Sequence, residues 1–492
     1  MIIDKELDIE DIVKVAREYE PVELSEDAVS RIEKSRKNIE RFLNTGRPIY
    51  GINTGFGALD KIRISHDEID ELQENLIRSH SAGVGEPFSK DAVRAMMLLR
   101  INSLSKGFSG VRKEVVLQMI EMLNRDITPY VPSQGSVGAS GDLAPLAHIA
   151  LTLIGEGNVF YKGERVPTQE ALLKEGIKPI RLKAKEGLAL INGTQVMTGI
   201  LALVLYDAKR LFEKAVMAAA ISIDALKGST TPFDPRIHKV RPHKGQIYVA
   251  EKLLEYLNES QIREAHLYCS KVQDAYSLRT TPQVLGAIKD TIDYVESVLL
   301  TEIHSVTDNP LIFEDGALSG GNFHGEPIAL VSDFLGIALS ELANISERRI
   351  DRLVNPLVSG LPPFLAKGKT GLNSGFMLWQ YTAASLVSEN KVLAHPSSVD
   401  SIPTSAYQED HVSMGTYGAR KAKKILENVQ KVIAIETMIG AFALHFLEPL
   451  KTGKKLVPYV EKIQAILGDI EKDRYLGKEF EKILEVVIGK TL

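Results

Sequence analysis

GSVGASGDLAPLAHIAL, residues 135–151, changes character at its middle. Gly135, Gly138 and Gly141 punctuate the first half, which marks a loop whose backbone turns sharply or approaches something closely. From Leu143 the run is apolar and helix-forming, with Ser140 or Asp142 placed to cap the helix that begins there. Ala139-Ser140-Gly141 also admits a covalent reading. Gly141 has no side chain, so its nitrogen can approach the Ala139 carbonyl carbon. Attack there with loss of water closes a five-membered ring. Loss of the Ser140 hydroxyl as a second water leaves an exocyclic double bond. The product is a methylidene-imidazolone, a Michael acceptor made from backbone. On these three residues alone, cap and electrophile both stay open.

Outward from this run, helical periodicity dominates. Ile288, Ile292, Val295, Leu299 and Ile303 recur at steps of three and four, as do Val331, Phe334, Leu335, Ala338, Leu342 and Ile345. Residues 422–447 form a third long stretch, with Ile425, Val429, Val432, Ile433 and Glu436 on one side. Helices this long pack in bundles, so the stripes are read as core. Strand signals are few. Residues 158–161 and 164–166 flank Lys162-Gly163 as a short hairpin, and Leu311-Ile312-Phe313 before Asp315-Gly316 reads as another. The expected fold is mainly α: a long central helical bundle with a mixed N-terminal globular part and few short strands. The division along the chain is residues 1–190 for the N-terminal part and 191–492 for the long-helix bundle and C-terminal helical part.

At 492 residues the chain can bury a large core. Charged residues are 25% and hydrophobic ones 44%, an ordinary soluble balance. A net charge of -5 leaves no surplus of Lys and Arg for phosphates, which argues against a nucleic-acid partner. The most basic run, residues 236–244, reads as a solvated loop. Cys269 is the only cysteine, which excludes an intrachain disulfide and a cysteine zinc cluster. None of the 11 histidines has a partner at a metal-binding spacing, so no metal is expected. The acidic N-terminus lacks the pattern of a signal peptide. The apolar stretch at residues 196–205 falls short of the ~18 residues of a membrane span. These readings place the protein in the cytoplasm, without a membrane partner.

The unusual residues lie in loops, where a helical scaffold places its chemistry. Tyr50-Gly51-Ile52-Asn53-Thr54-Gly55-Phe56-Gly57 carries a tyrosine at the head of a glycine-rich loop. Residues 76–83 hold the pair Ser79-His80, and residues 185–194 end in Asn192-Gly193-Thr194. Gln273-Asp274-Ala275-Tyr276-Ser277-Leu278-Arg279 ends in an arginine, whose planar fork suits a carboxylate. Phe323 sits in a glycine-rich run at 319–327, and residues 397–403 lead to Gln408-Glu409-Asp410-His411. Singly, each has a plain reading as a core tyrosine, an Asn-Gly turn, a surface arginine, a turn or a cap. As a set, with residues 135–151, they resemble the aromatic amino acid lyase family, and the resemblance runs from Tyr50 to Gly415.

The resemblance implies that Ala139, Ser140 and Gly141 form a 4-methylidene-imidazol-5-one autocatalytically, with no external cofactor. It implies that Tyr50 takes a β-proton from an amino acid substrate that loses ammonia. A free phenol has a pKa near ~10, so such a base needs positive charge or helix N-termini beside it. By the same resemblance Asn192 donates to the cofactor oxygen and Arg279 holds the substrate carboxylate. Gln273 and Tyr276 stand close to the cofactor, Phe323 lies against cofactor and substrate, and Gln408 and Glu409 line the site. His80 and Glu409 resemble the branch that converts L-histidine to trans-urocanate, because a carboxylate beside a bound imidazole is favourable in charge and hydrogen bonding. Tyrosine lyases and aminomutases of the same family are the alternative. Tyr407 replaces an expected asparagine, and Trp379 and Tyr381 are bulkier than the histidine branch has; they either reshape the pocket wall or pack away from it. A non-catalytic helical scaffold is the alternative from another class. The family also implies a homotetramer whose active sites are shared between subunits.

Overall fold

The computed structural model describes residues 1–4, 6–44, 49–59, 61–268, 271–369 and 371–489, so Cys269 lies outside the described residues. The chain is mainly helical, as its periodicity predicts. Long helices cover Gln195–Ala225, Thr281–Ile303, Glu326–Val354 and Gly415–Ala443. Packing divides the chain into two units that are not continuous in sequence. The first holds Met1–Tyr206, Glu296–Asp333 and Pro396–Arg420; the second holds Asp207–Val295, Phe334–His395 and Lys421–Leu492. A cut at residue 190 follows chain order, whereas packing gives two later segments to the first unit.

Among the described residues, all strands belong to the first unit. Asn158–Tyr161 pairs with Glu164–Pro167, and on its other edge with Thr128–Pro129. The turn residues Lys162 and Gly163 have φ of 52° and 86°, the mirror-image two-residue turn that matches strand twist. Leu311–Ile312 pairs with Ala317–Leu318 as the second expected hairpin. A pairing not anticipated from sequence joins Val84–Pro87 to Pro132–Gln134. It lays the segment after His80 beside the segment before Gly135. The helix expected from Leu143 covers Leu143–Leu153, but neither candidate caps it with a side chain. Asp142 is the N-cap residue and makes no side-chain cap bond to it.

The apolar stripes are buried, with one exception. Phe334 is 39% exposed and lies 6.3 Å from the ring of Tyr294, itself 53% exposed. Val331, Leu335, Ala338, Leu342 and Ile345 already complete the inward face, which leaves Phe334 at its flank. Two helices, Glu326–Val354 and Gly415–Leu447, are long and apolar enough to cross a membrane by length and composition. Of their apolar windows, 67% and 78% are buried inside the protein, as in core helices.

Glu436 sits on the apolar stripe of its helix for a polar reason. Within the second unit its carboxylate accepts hydrogen bonds from Ser222 at 2.8 Å, Ser346 at 2.6 Å, and Arg349 Nε and Nη2 at 2.5 and 2.9 Å. The Arg349 and Glu436 side chains are both fully buried. One carboxylate thus joins three long helices. Such a pair adds little over apolar packing, but removing one partner strands a buried charge. Glu436→Ala should therefore destabilise the protein by about 3–5 kcal/mol, read as a lowered urea midpoint. An unchanged midpoint would show that Arg349 is satisfied without it.

Candidate active site

Gly141 has φ of 71°, and a Cβ on it would lie 2.1 Å from the Gly193 carbonyl oxygen. Only glycine fits that approach. The next amide, Asp142 N–H, donates to the same oxygen at 2.7 Å. The fully buried Asp142 carboxylate accepts from the Val196 and Met197 N–H groups at 3.1 and 3.0 Å, from Ser136 Oγ at 3.0 Å, and from the Thr416 hydroxyl. Asp142 thus places its charge at the N-terminus of the Gln195–Ala225 helix instead of its own, where free N–H groups and the helix dipole favour an anion. Burial pushes its carboxyl pKa up, and the hydroxyl and amide donors, Thr416 first, hold it back.

Around Ser140 two side chains meet. Ser140 Oγ donates to Glu409 Oε1 at 3.0 Å, and Asn192 Nδ2 donates to the Ser140 carbonyl oxygen at 3.2 Å. Asn192 Oδ1 is buried without a hydrogen-bond partner among the described residues. The other Glu409 oxygen accepts from Thr404 Oγ1 at 2.7 Å, and the two residues exchange backbone hydrogen bonds at 2.9 and 3.3 Å. His80 hydrogen-bonds through Nδ1 to Ser79 Oγ at 3.1 Å. Burial lowers the His80 pKa, opposed by the Leu76 backbone and the charge of Glu409.

The remaining expected residues of the first unit approach through their loops. The Tyr50 hydroxyl accepts from Gly57 N–H at 3.2 Å, and its ring meets Phe56 edge-on at 6.4 Å. A Cβ on Gly57 would lie 2.6 Å from Ser405 Oγ, so the Tyr50 loop packs on the loop of Glu409. Phe323 is half-buried; two residues on, Gly325 N–H donates to the Gly138 oxygen at 3.5 Å. Gln408 is exposed, as is Tyr407, which has φ of 67°.

Gln273, Tyr276 and Arg279 belong to the second unit. The Arg279 guanidinium lies 4.7 Å over the Tyr276 ring, and its Nε is buried with no hydrogen-bond partner among the described residues. A cavity of about 630 Å³ lined by Gln273, Arg279, Arg263 and Lys271 opens here, where an arginine short of acceptors can hold an anion. In this unit Trp379 packs on Phe480 at 4.9 Å between ring centroids, while Tyr381 is exposed. Among the described residues, no three His, Cys, Asp or Glu side chains could hold a metal ion.

The family model for aromatic amino acid lyases matches residues 7–465. The chain belongs to the aromatic amino acid lyase family. A histidine ammonia-lyase of Alkaliphilus oremlandii is 53% identical over 499 residues, covering 100% of this chain and 97% of that one. The crystal structure of a histidine ammonia-lyase from Trypanosoma cruzi superposes with a TM-score of 0.92 at 43% identity, covering 99% of this chain and 93% of the other. A tyrosine aminomutase from Streptomyces globisporus superposes with a TM-score of 0.94 at 38% identity, covering 100% and 97%. This aromatic amino acid lyase is thus a carbon–nitrogen lyase and not a bare helical scaffold. The fold is shared between branches, so substrate choice rests on individual residues.

Of three residues that organise the site of this lyase, Arg100 and Thr404 stand outside the family-like strings, and Asp142 stands inside one but reads as a cap. Arg100 is fully buried and donates to the Asn192 carbonyl at 2.9 Å, to Gln195 Oε1 at 2.6 Å and to the Ala189 carbonyl. Burial brings its pKa down to about 10, against the pull of Asp308. In sequence it is one of three cations in a largely apolar helix. Asp142 imitates a helix cap, and Thr404 stands among other polar loop residues. The tightest constraint gives the first test of the site. Gly141→Ala meets both an unfavourable φ and the Gly193 oxygen. The variant should lose ammonia release from whichever amino acid the parent uses; parental turnover would show that the loop has room.

Proposed function

We propose that this lyase eliminates ammonia from L-histidine to give trans-urocanate, and that Ala139, Ser140 and Gly141 supply its 4-methylidene-imidazol-5-one. The observation that carries the substrate choice is Glu409, a half-exposed carboxylate with one oxygen held by Thr404, the other at the Ser140 hydroxyl that leaves when the group forms, and its charge felt by His80. The relative from Alkaliphilus oremlandii, 53% identical and named a histidine ammonia-lyase, supports it.

The residues present fit the group. Ring closure removes the Ala139 carbonyl oxygen and retains that of Ser140, the oxygen to which the Asn192 amide donates. Gly141, whose nitrogen would attack, lies in a cradle that a Cβ would fill. When formed, the group supplies an electrophile that draws electron density from the substrate. Tyr50 accepts the β-proton, and the Gly57 N–H on its oxygen helps to hold the charge there. Arg279 grips the substrate carboxylate with its fork. Glu409 accepts from the imidazole N–H, with His80 as the second polar contact to the ring. Gln273 and Tyr276 stand beside the electrophile, Phe323 packs against the substrate, and Gln408 lines the site. We further propose a cytoplasmic homotetramer with active sites shared between subunits. Exposed Tyr294, Phe334 and Ile337, which line one open apolar groove, suit a subunit contact. Tyrosine chemistry is the second reading, favoured by the likeness to a tyrosine aminomutase and by Tyr381. Glu409 speaks for histidine over it, since an imidazolium presents a full positive charge and a phenol does not.

Competition among L-histidine, L-tyrosine and L-phenylalanine tests the substrate. Urocanate should dominate, and Glu409→Gln should impair histidine more than tyrosine. Predominant coumarate or β-tyrosine would overturn the assignment. Intact mass should fall short of the sequence mass by two waters in the parent and match it in inactive Ser140→Ala. Tyr50→Phe should lower kcat by roughly 100- to 10,000-fold; a change of only a few-fold would place the base elsewhere.

A further inference from the structure

His148 lies on the Leu143–Leu153 helix, which follows the Ala139-Ser140-Gly141 loop. Its Nε2 accepts a hydrogen bond from the Gly83 N–H at 3.1 Å. Gly83 belongs to the turn directly after His80, where Ala82 N–H donates back to the His80 carbonyl at 2.8 Å. The turn is crowded. A Cβ on Gly83 would lie 3.1 Å from His148 Nε2 and 3.3 Å from Pro132 Cβ, and a Cβ on Gly135 would lie 3.2 Å from Gly83 Cα. Beyond Gly83 the chain pairs as Val84–Pro87 with Pro132–Gln134, the strand that leads into the Gly135 loop. His148 therefore bonds the backbone that joins the ring-contacting His80 to the segment feeding Ser140.

We propose that His148 is a positioning residue for substrate selection, which holds the Gly83 amide through Nε2 and so sets where the His80 imidazole stands relative to Glu409 and Ser140. The proposal rests on His80 as a contact to the substrate ring. An accepting Nε2 carries no proton, so this role belongs to the neutral imidazole; burial, which lowers the His148 pKa, favours that form. His148 touches no reacting atom. Its removal frees the turn and is felt as weaker binding of the ring, the signature of KM rising more than kcat falls.

The experiment compares the parent with His148→Gln, which offers an oxygen near the place of Nε2, and with His148→Leu, which offers no acceptor. Intact mass is measured first on each, and all should lack two waters, which separates positioning from cofactor formation. His148→Gln should keep the parental KM for L-histidine within about twofold, and His148→Leu should raise it roughly five- to tenfold, the worth of one hydrogen bond, with kcat far less changed. In a His80→Ala background the same His148→Leu change should raise KM little further, because the residue acts through His80. A parental KM in His148→Leu, or a full additional increase on top of His80→Ala, overturns the proposal. If His148→Leu does not assemble, His148→Phe, planar and without an acceptor, is read in its place. A parent that releases ammonia from tyrosine and not from histidine overturns the substrate reading instead, and the same cycle is then read on tyrosine.

Discussion

The contact on which the site depends is between two backbones: Gly141 against the carbonyl of Gly193. Neither side of that contact tolerates a side chain. A Cβ on Gly193 would meet Gln195 Oε1 at 2.4 Å and Arg100 Nη1 at 2.6 Å. The approach is locked by the Asp142 N–H on the Gly193 oxygen and by the Asp142 carboxylate on the start of the Gln195–Ala225 helix. The loop holding Ser140 and the turn holding Asn192 are thus tied to each other. Arg100 grips the Asn192 carbonyl from behind, which aims the amide at the Ser140 oxygen.

Three carboxylates show how environment assigns work to one chemical group. Asp142 is fully buried and saturated with donors from two backbone amides and two hydroxyls, so its charge is spent on structure. Glu436 is equally buried and is neutralised by Arg349. Glu409 is half-exposed; one oxygen accepts from Thr404, and the other meets the Ser140 hydroxyl, which leaves when the proposed group forms. A carboxylate accepts several hydrogen bonds, so only Glu409 of the three keeps capacity for a ligand. Its neighbour His80 is drawn toward the neutral form by burial and toward the charged form by Glu409.

The departures from the histidine branch are partly resolved by packing. Trp379 packs on Phe480, which gives its bulk a packing role. Tyr407 projects into solvent from a residue of positive φ. Tyr381 is exposed, and among the described residues no ring contact explains its size.

The sequence by itself determined the helical class, both hairpins and the long apolar stripes, because these are periodic and local: side chains three or four apart share a helix face whatever surrounds them. It also pointed to the family, since Tyr50, His80, Asn192, Glu409 and the Ala139-Ser140-Gly141 run stand in strings specific enough to resemble one. Tertiary structure alone decided how those strings meet. Asp142 reads as the cap of the next helix and serves a helix more than fifty residues on; Arg100 reads as a stray charge and grips a distant turn. Phe334 fits its stripe in sequence and lies at its exposed flank in space. Periodicity says which face a residue takes on its own element. Which partners it finds there is set by long-range packing, and no local pattern encodes it.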